Sequence, residues 1–336
     1  MMSELDLSPP QVIVRLLMGF ISARAVYTAA KLGLVDQIDR AGSTEDELAA
    51  RLDADRSGLV RLLHSLTGLG ILRYGDQGRY FLTEVGETLR ADSLQSIRDY
   101  AIYVHEFLYD LFRHLPDSVR DGKPIVEQEL GASLFAYLQQ HKDAAARFHA
   151  GLANRGRIET PAILAAYNFG DCHRVADLGG GNGAFLSAIV TAYPSVSGVL
   201  LDRAPAIDAA RNGHGGPLPR CELIEGDYFT EVPTDIDLYI FKRVLFDHSN
   251  EEVIKILRNC RAAMKPNSRI VIIEGLAGIR NEPDLAHLMD LTFLLVTTGR
   301  MRSREEYNDL LGKAELRLLQ CLPTRSDVSV LEAALL

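Results

Sequence analysis

A glycine-rich loop in the second half of the chain is the clearest sign of chemistry in the sequence. The apolar stretch Val175–Leu178 is followed by the loop Gly179–Gly183, and Asp177 stands just before that loop. Glycines let the backbone turn sharply and approach a ligand closely, and the helix that follows presents free N–H groups. A carboxylate at this position would repel a phosphate and attract a cation. We therefore predict a ligand with a positively charged group rather than a dinucleotide.

Two more acidic residues follow the next two apolar stretches of the chain. Asp202 ends the sequence LLD, and Asp227 precedes Tyr228 in the sequence GDYF. A carboxylate at the end of a second strand is placed to accept hydrogen bonds from both ribose hydroxyls. The third acid is placed to bind an adenine amine, with aromatic neighbours for the ring. Acids and glycines at three successive strand ends predict an adenosine with a positively charged tail.

These residues belong to longer motifs through which the chain resembles a known family. The motifs are VADLGGGNG, LLDRAP, GDYF, DLYIFKRVLFDHSNEEVIKILRNCRAAMKP and IVIIEG. They resemble class I S-adenosylmethionine-dependent methyltransferases, specifically the two-domain small-molecule O-methyltransferases of plants and of bacterial secondary metabolism. The resemblance covers nearly the whole chain and implies S-adenosyl-L-methionine as cofactor and a small-molecule substrate. It also implies a set of cofactor contacts, namely Gly179, Gly181, Asp202, Asp227, Tyr228 and Lys242.

The catalytic part of the family pattern is altered in this chain. The family uses a histidine in an L-H-D-W stretch as the general base that deprotonates the substrate hydroxyl. Here the stretch reads LFDH, so Phe246 holds the base position and His248 stands where tryptophan is usual. Of the two acids that orient the histidine, Glu274 matches one and Met301 replaces the other. The resemblance therefore leaves open whether the methyl group goes to oxygen or to carbon.

Four mechanisms are compatible with these substitutions. In the first, His248 replaces the missing base, Glu274 supports it, and O-methylation is kept. In the second, a Zn²⁺ or Fe²⁺ site assists C-methylation of a 2-oxo acid, with the predicted ligands His248, Glu274, His287 and Asp290. In the third, the chain binds the cofactor without transferring a methyl group. In the fourth, the nucleophile needs no base, and orientation toward the sulfonium is sufficient.

A sheet with helices between its strands must position these residues. Apolar strand patterns alternate with helical patterns after residue 165, which predicts an α/β domain with a Rossmann-like, mostly parallel sheet over residues 166–336. The predicted strands are Val175–Leu178, Val199–Leu201, Cys221–Ile224, Leu238–Phe241, Arg269–Glu274 and Leu316–Cys321. The predicted helices between them are Ala184–Ala192, Pro205–Arg211, Glu251–Ala263 and Ser303–Lys313.

The N-terminal part is predicted to be mainly helical. Over residues 1–95 two capped helices precede a hairpin at Arg73–Leu82, which is a winged-helix arrangement. Residues 1–100 contain 14 Asp+Glu and 11 Lys+Arg, so we expect dimerisation of two identical chains rather than DNA binding. Residues 96–165 are rich in Tyr and Phe and are predicted to form a helical bridging segment that lines the substrate cleft.

The overall composition excludes several other classes of protein. Across 336 residues the formal net charge is −9, which argues against bulk nucleic-acid binding and against an anionic membrane surface. The four cysteines are far apart and form no CxxC pair, as expected for free thiols in a reducing compartment. No apolar run is long enough to suggest a membrane span or a signal peptide. We expect a cytoplasmic protein.

Overall fold

The computed structural model describes residues 8–213, 215–278 and 284–336, apart from the side chain of Phe135. The chain divides into two compact units. The first comprises residues up to Asp110 together with Ala146–Arg155, and the second comprises Leu111–Ala145 and Gly156–Leu336. The first unit is mainly helical and the second contains the large sheet, which confirms the predicted fold class.

The first unit is built from short helices and a small sheet. Its elements are α1 (Pro9–Leu17), α2 (Gly19–Leu32), β1 (Ser43–Thr44), α3 (Glu45–Leu52), α4 (Arg56–Gly68), β2 (Leu72–Tyr74), β3 (Arg79–Leu82), α5 (Glu84–Glu87) and α6 (Arg98–Tyr103). Thr44 and Glu47 form the predicted capping box of α3, and Asp55 accepts a hydrogen bond from Gly58 N, 2.8 Å away, to cap α4. The predicted hairpin is formed by the antiparallel strands β2 and β3.

The first two helices expose an apolar surface. Between 40 and 70% of each of Val12, Ile13, Val14, Leu16 and Leu17 is exposed. Contrary to the expectation from the sequence, one helical stretch among the described residues, Pro9–Leu32, is long and apolar enough by length and composition to cross a membrane. Met18 separates the two helices of this stretch, which also contains the charged residues Arg15 and Arg24.

The helical region after the hairpin contains an irregular turn. The helix α6 continues into a π-helical turn at Val104–Leu108 and then a 3₁₀ segment at Tyr109–His114. The elements α7 (Leu115–Asp121), α8 (Val126–Leu130), α9 (Leu134–Gln140) and α10 (Lys142–Ala166) follow.

The second unit contains a seven-stranded sheet. Its strands are β4 (Arg174–Leu178), β5 (Ser197–Asp202), β6 (Cys221–Glu225), β7 (Leu238–Lys242), β8 (Arg269–Glu274), β9 (Leu316–Pro323) and β10 (Ser329–Leu335). The order is β6-β5-β4-β7-β8-β10-β9, and β10 runs antiparallel to both of its neighbours. The helices after residue 170 are α11 (Ala184–Ala192), α12 (Ala204–Arg211), α13 (Asn250–Ala263), α14 (Leu285–Val296) and α15 (Arg304–Lys313).

The sheet is buried on both faces. Alternate residues of a strand join different apolar clusters, so Ala176 and Leu178 pack on one side and Val175 packs on the other. Since β4, β5, β6 and β7 are parallel, their carboxyl ends meet at one edge of the sheet. That edge carries the residues predicted to bind a ligand.

Candidate functional site

The glycine loop has the geometry that close approach of a ligand requires. Gly179 has φ +73°, a left-handed conformation that side chains rarely adopt, and it follows β4 directly. A Cβ atom on Gly180 would lie 2.4 Å from Oδ2 of Asp177 and 2.6 Å from Leu200. Any larger residue at 180 would therefore displace the Asp177 carboxylate or the core beneath it.

Asp177 differs from the other acids of this edge because its carboxylate is buried and unpaired among the described residues. It is fully buried, and neither carboxylate oxygen has a hydrogen-bond partner among the described residues. Burial raises its pKa to about 7, although the positive charge of Lys242 acts in the opposite direction. An unpaired buried carboxylate is costly unless a donor or a cation satisfies it. The site therefore fits a ligand with an ammonium or sulfonium group.

Asp202 and Asp227, at the ends of the two neighbouring strands, accept hydrogen bonds from main-chain N–H groups and from one arginine side chain. Asp202 accepts hydrogen bonds from Gly181 N at 2.8 Å and from Arg203 N at 2.7 Å, which ties it to the glycine loop. Asp227 accepts from Phe229 N at 2.9 Å and from the Arg203 guanidinium at 3.3 Å. The structure thus brings the three acids predicted from the sequence to one edge of the sheet.

Lys242 lies in a buried cluster of charges that the sequence did not suggest. Its Nζ is 3.1 Å from a carboxylate oxygen of Glu159, which is 1% exposed. The same carboxylate accepts hydrogen bonds from Arg243 Nε and Nη2, and Arg243 Nη2 is also 3.1 Å from Asp327. Glu159 lies on α10, 84 residues before Arg243, in a stretch without a recognisable motif.

The turn after β7 carries the altered catalytic positions, and two buried charged groups hold its backbone. Glu274 accepts hydrogen bonds from Val244 N at 3.2 Å and from Phe246 N at 3.1 Å, and the Tyr307 hydroxyl donates to its other oxygen. Burial raises the pKa of Glu274 above its ordinary value, although these donors oppose the shift. Glu274 therefore supports the turn through main-chain contacts.

Arg302 anchors the same turn from the other side. It is 1% exposed, and its guanidinium donates to the carbonyl oxygens of Leu245 at 3.0 Å and His248 at 2.6 Å. It also donates to Asn250 Oδ1 at 2.9 Å. Gly299 comes so near that a Cβ atom on it would lie 1.8 Å from the Phe246 carbonyl oxygen. The backbone of the turn is fixed independently of the side chain at 246.

The base position is apolar in this structure. Phe246 is 9% exposed and packs on Phe293 of α14, with the ring centroids 4.6 Å apart. Met301, which replaces an orienting acid of the family, is 6% exposed. Burial and the charge of Glu274 raise the pKa of the neighbouring Asp247 to about 8, although Arg243 acts in the opposite direction.

His248 contacts the aromatic pair that follows β6. Its Nε2 and the Tyr228 hydroxyl are 2.9 Å apart and share a hydrogen bond, and its ring meets the edge of Phe229 at 5.0 Å between centroids. Burial lowers the pKa of His248 below its ordinary value. This position places His248 beside the residues predicted to surround adenine.

The structure does not assemble the predicted metal site. His248 Nε2 is engaged by Tyr228, and Glu274 by main-chain groups and Tyr307. The side chain of Asp290 accepts a hydrogen bond from Met301 N at 2.5 Å, and His287 is exposed. Among the residues that the structure describes, no group of three or more His, Cys, Asp or Glu side chains could hold a metal ion. The four-ligand prediction is wrong because spacing along α14 did not reveal the partner of Asp290.

Comparison with known proteins matches both parts of the chain to one family of methyltransferases. The model of the O-methyltransferase domain matches residues 112–317, and that of the O-methyltransferase dimerisation domain matches residues 14–92. A phenazine O-methyltransferase from Lysobacter antibioticus is 32% identical over 324 residues, covering 96% of this chain and 95% of the relative. An 8-amino-8-demethylriboflavin N,N-dimethyltransferase from Streptomyces davaonensis is 31% identical over 318 residues, covering 92% and 91%.

A solved structure with bound cofactor is also similar. Human N-acetylserotonin methyltransferase in complex with S-adenosylmethionine aligns with a TM-score of 0.91 and 25% identity. The alignment covers 100% of this chain and 99% of the human one.

Proposed function

Because the chain belongs to the O-methyltransferase family with an N-terminal dimerisation domain, it is an S-adenosylmethionine-dependent methyltransferase of small molecules, and we propose that its acceptor atom is an aromatic or heteroaromatic nitrogen. The observation that carries this assignment is the buried, apolar Phe246 at the position of the family's base. A phenol must lose a proton to attack, whereas a neutral aromatic amine attacks with a free lone pair. The proton of the resulting ammonium passes to water after transfer.

The chemistry of transfer needs little from the protein beyond orientation. S-adenosylmethionine supplies an electrophilic methyl group on a positively charged sulfur. The Asp177 carboxylate would hold its cationic end, and Asp202 and Asp227 would accept hydrogen bonds from its hydroxyl and amine groups. Lys242 and Tyr228 lie at the same edge, and Phe246 and Met301, at the positions of the family's base and of one orienting acid, offer no proton acceptor. Alignment of the acceptor nitrogen with the methyl group then accounts for the acceleration of the reaction.

His248 is not assigned as the base in this proposal. Its Nε2 is occupied by the Tyr228 hydroxyl, and burial lowers its pKa. We assign it to the adenine side of the cofactor site, where its ring stands beside Phe229.

We propose that the chain acts as a homodimer. The exposed apolar side chains of α1 and α2 from Val14 onward belong to the matched dimerisation domain and need a covering surface. Arg56, one of the few basic residues of α4, already pairs with Glu45 and Asp46, so this unit offers little positive charge to DNA. Sedimentation of the wild type and of Leu16→Glu tests this proposal, and a monomeric wild type would contradict it.

The acceptor assignment is tested with a labelled methyl donor and two matched acceptors, 3-aminobenzoate and 3-hydroxybenzoate. We expect the amine to be methylated with a kcat/KM at least about tenfold above that of the phenol. The double variant Phe246→His/Met301→Glu restores a base and an acid, and we expect it to raise the relative rate of the phenol. Equal rates, or a preference of the wild type for the phenol, would contradict the proposal.

A further inference from the structure

Glu159, on α10 in the second unit, binds the two positively charged side chains that end β7. Its carboxylate is 3.1 Å from Lys242 Nζ and accepts hydrogen bonds of 3.0 and 2.6 Å from Arg243 Nε and Nη2. The Lys242 ammonium also lies 5.7 Å from the centroid of the Phe185 ring. A Cβ atom on Gly156, one turn before Glu159, would be 3.9 Å from the same ammonium. Lys242 is therefore held against α10.

Lys242 and Asp177 lie on the same face of the sheet, at the ends of neighbouring strands. In the parallel pairing of β4 with β7, Asp177 stands opposite Ile240, and Lys242 comes two residues later on β7. Strand spacing and rise per residue place the Cα atoms of Asp177 and Lys242 about 8 Å apart, which a lysine side chain can span. The charge of Lys242 acts on Asp177, since it opposes the rise in pKa that burial causes. Lys242 is thus placed to compete with a cationic ligand for this carboxylate.

The backbone next to Lys242 is held in an uncommon conformation. Arg243 has φ +56°, in the left-handed region that residues with a side chain rarely adopt. Such a conformation persists only where the surrounding contacts fix it. Here Glu159 binds the Arg243 guanidinium on one side, and Asp327 lies 3.1 Å from Nη2. The charges of Lys242 and Arg243 are balanced by those of Glu159 and Asp327, so these four residues do not need Asp177.

We propose that Glu159 is a positioning residue of the cofactor site. By binding Lys242 Nζ it prevents Lys242 from pairing with Asp177, so that the Asp177 carboxylate stays available for the positively charged end of S-adenosylmethionine. The inference rests on the proposed function only for the assignment of Asp177 to that charge. Without the charge of Glu159, Lys242 turns to Asp177, and the cofactor must first break this pair. A ligand without a positive charge does not have this cost.

The test measures Kd by titration calorimetry without a methyl acceptor. The two probes are S-adenosylmethionine and 5′-methylthioadenosine, a neutral thioether that keeps the adenosine and lacks the amino-acid tail. Glu159→Gln keeps the shape and removes the charge, so we expect the Kd for S-adenosylmethionine to rise about tenfold or more. The Kd for 5′-methylthioadenosine should be unchanged. The control is Glu222→Gln, at an exposed glutamate that pairs with Arg174, and it should change neither Kd.

A second substitution distinguishes this electrostatic role from a structural one. Lys242→Met removes the competitor, so Glu159→Gln/Lys242→Met should bind S-adenosylmethionine as tightly as Lys242→Met alone. Both should bind it more tightly than Glu159→Gln does. If Glu159 served only to anchor Arg243, the second substitution would repair nothing. Glu159→Asp keeps the charge and should recover part of the affinity.

Three results would overturn the inference. They are an unchanged Kd for S-adenosylmethionine in Glu159→Gln, an equal loss of affinity for both probes, and a double variant that binds S-adenosylmethionine no better than Glu159→Gln. If Asp177→Asn loses affinity and Glu159→Gln does not, only the role of Glu159 is wrong. If Asp177→Asn binds S-adenosylmethionine as tightly as the wild type, the assignment of Asp177 fails and the inference fails with it.

Discussion

Two fully buried carboxyl groups of the second unit illustrate opposite uses of charge. Asp177, under the glycine loop, has no partner among the described residues, whereas Glu274, under the turn after β7, accepts three hydrogen bonds. The free carboxylate suits a cationic ligand, and the saturated one stabilises the backbone. A buried acid therefore indicates a ligand site only when its own bonding capacity is unfilled.

The largest expected effect comes from Asp177→Asn, which removes the charge and keeps the shape. Loss of a buried charge opposite a cation costs about 2–5 kcal/mol, so we expect the affinity for S-adenosylmethionine to fall at least about 30-fold. Titration calorimetry measures this effect. Asp208→Asn, at an exposed helical site, is the control and should change nothing.

The same variant has the opposite effect on folding. The pKa of Asp177 in the folded chain is raised to about 7 from an ordinary value of 3.8, so the folded state binds more protons between these values. Stability must then fall as the pH rises from about 4 to 7, and the full cost is present at pH 8. We expect Asp177→Asn to stabilise the free protein at pH 8 by up to about 4 kcal/mol. Denaturant unfolding that shows a loss of stability there would contradict this interpretation.

The second largest effect is expected at Glu274, where two variants distinguish a structural role from a catalytic one. Glu274→Ala leaves two buried N–H groups unpaired and removes the acceptor of the Tyr307 hydroxyl, so we expect a loss of about 2–5 kcal/mol in unfolding free energy. Glu274→Gln keeps an acceptor for both N–H groups and should retain most of the stability and activity. Glu231→Ala, at an exposed position, is the control. Normal stability but absent activity in Glu274→Gln would instead show that the charge acts in catalysis.

The smallest effect is expected at His248, which ends the turn after β7 and contacts Tyr228 after β6. His248→Phe removes the hydrogen bond to Tyr228 and keeps the ring, so we expect the KM for S-adenosylmethionine to rise about two- to tenfold with kcat little changed. His248→Gln should lose less. A loss of kcat of about 100-fold or more would show that His248 is the base after all.

Local patterns were sufficient to predict most of the sheet and the position of its acidic residues at one edge. Apolar strands, capping residues and the acids at strand ends all depend on neighbours within a few residues, and the structure places them as expected. The sequence analysis did not predict the last strand, Ser329–Leu335, whose second half Glu332–Leu335 has a composition that favours helix; pairing with β8 and β9 overrides that preference.

Long-range contacts explain the other errors. Glu159 meets Lys242 and Arg243 across more than 80 residues, and no spacing rule indicates such a pairing. Asp290 shares a helix with His287, yet its carboxylate turns to a main-chain N–H of the next segment. A metal-ligand prediction from i, i+3 spacing treats every polar side chain as available, and here Asp290 was not.

The anchoring of the turn at residues 244–248 has an evolutionary consequence. Glu274 and Arg302 form hydrogen bonds with main-chain groups, and Gly299 packs against a main-chain carbonyl. None of these contacts therefore depends on which side chain stands at 246. Positions 246 and 301 can therefore mutate while the scaffold keeps its shape. We expect a lineage, or a protein engineer, to be able to change the side chains at these two sites without rebuilding the backbone of the turn.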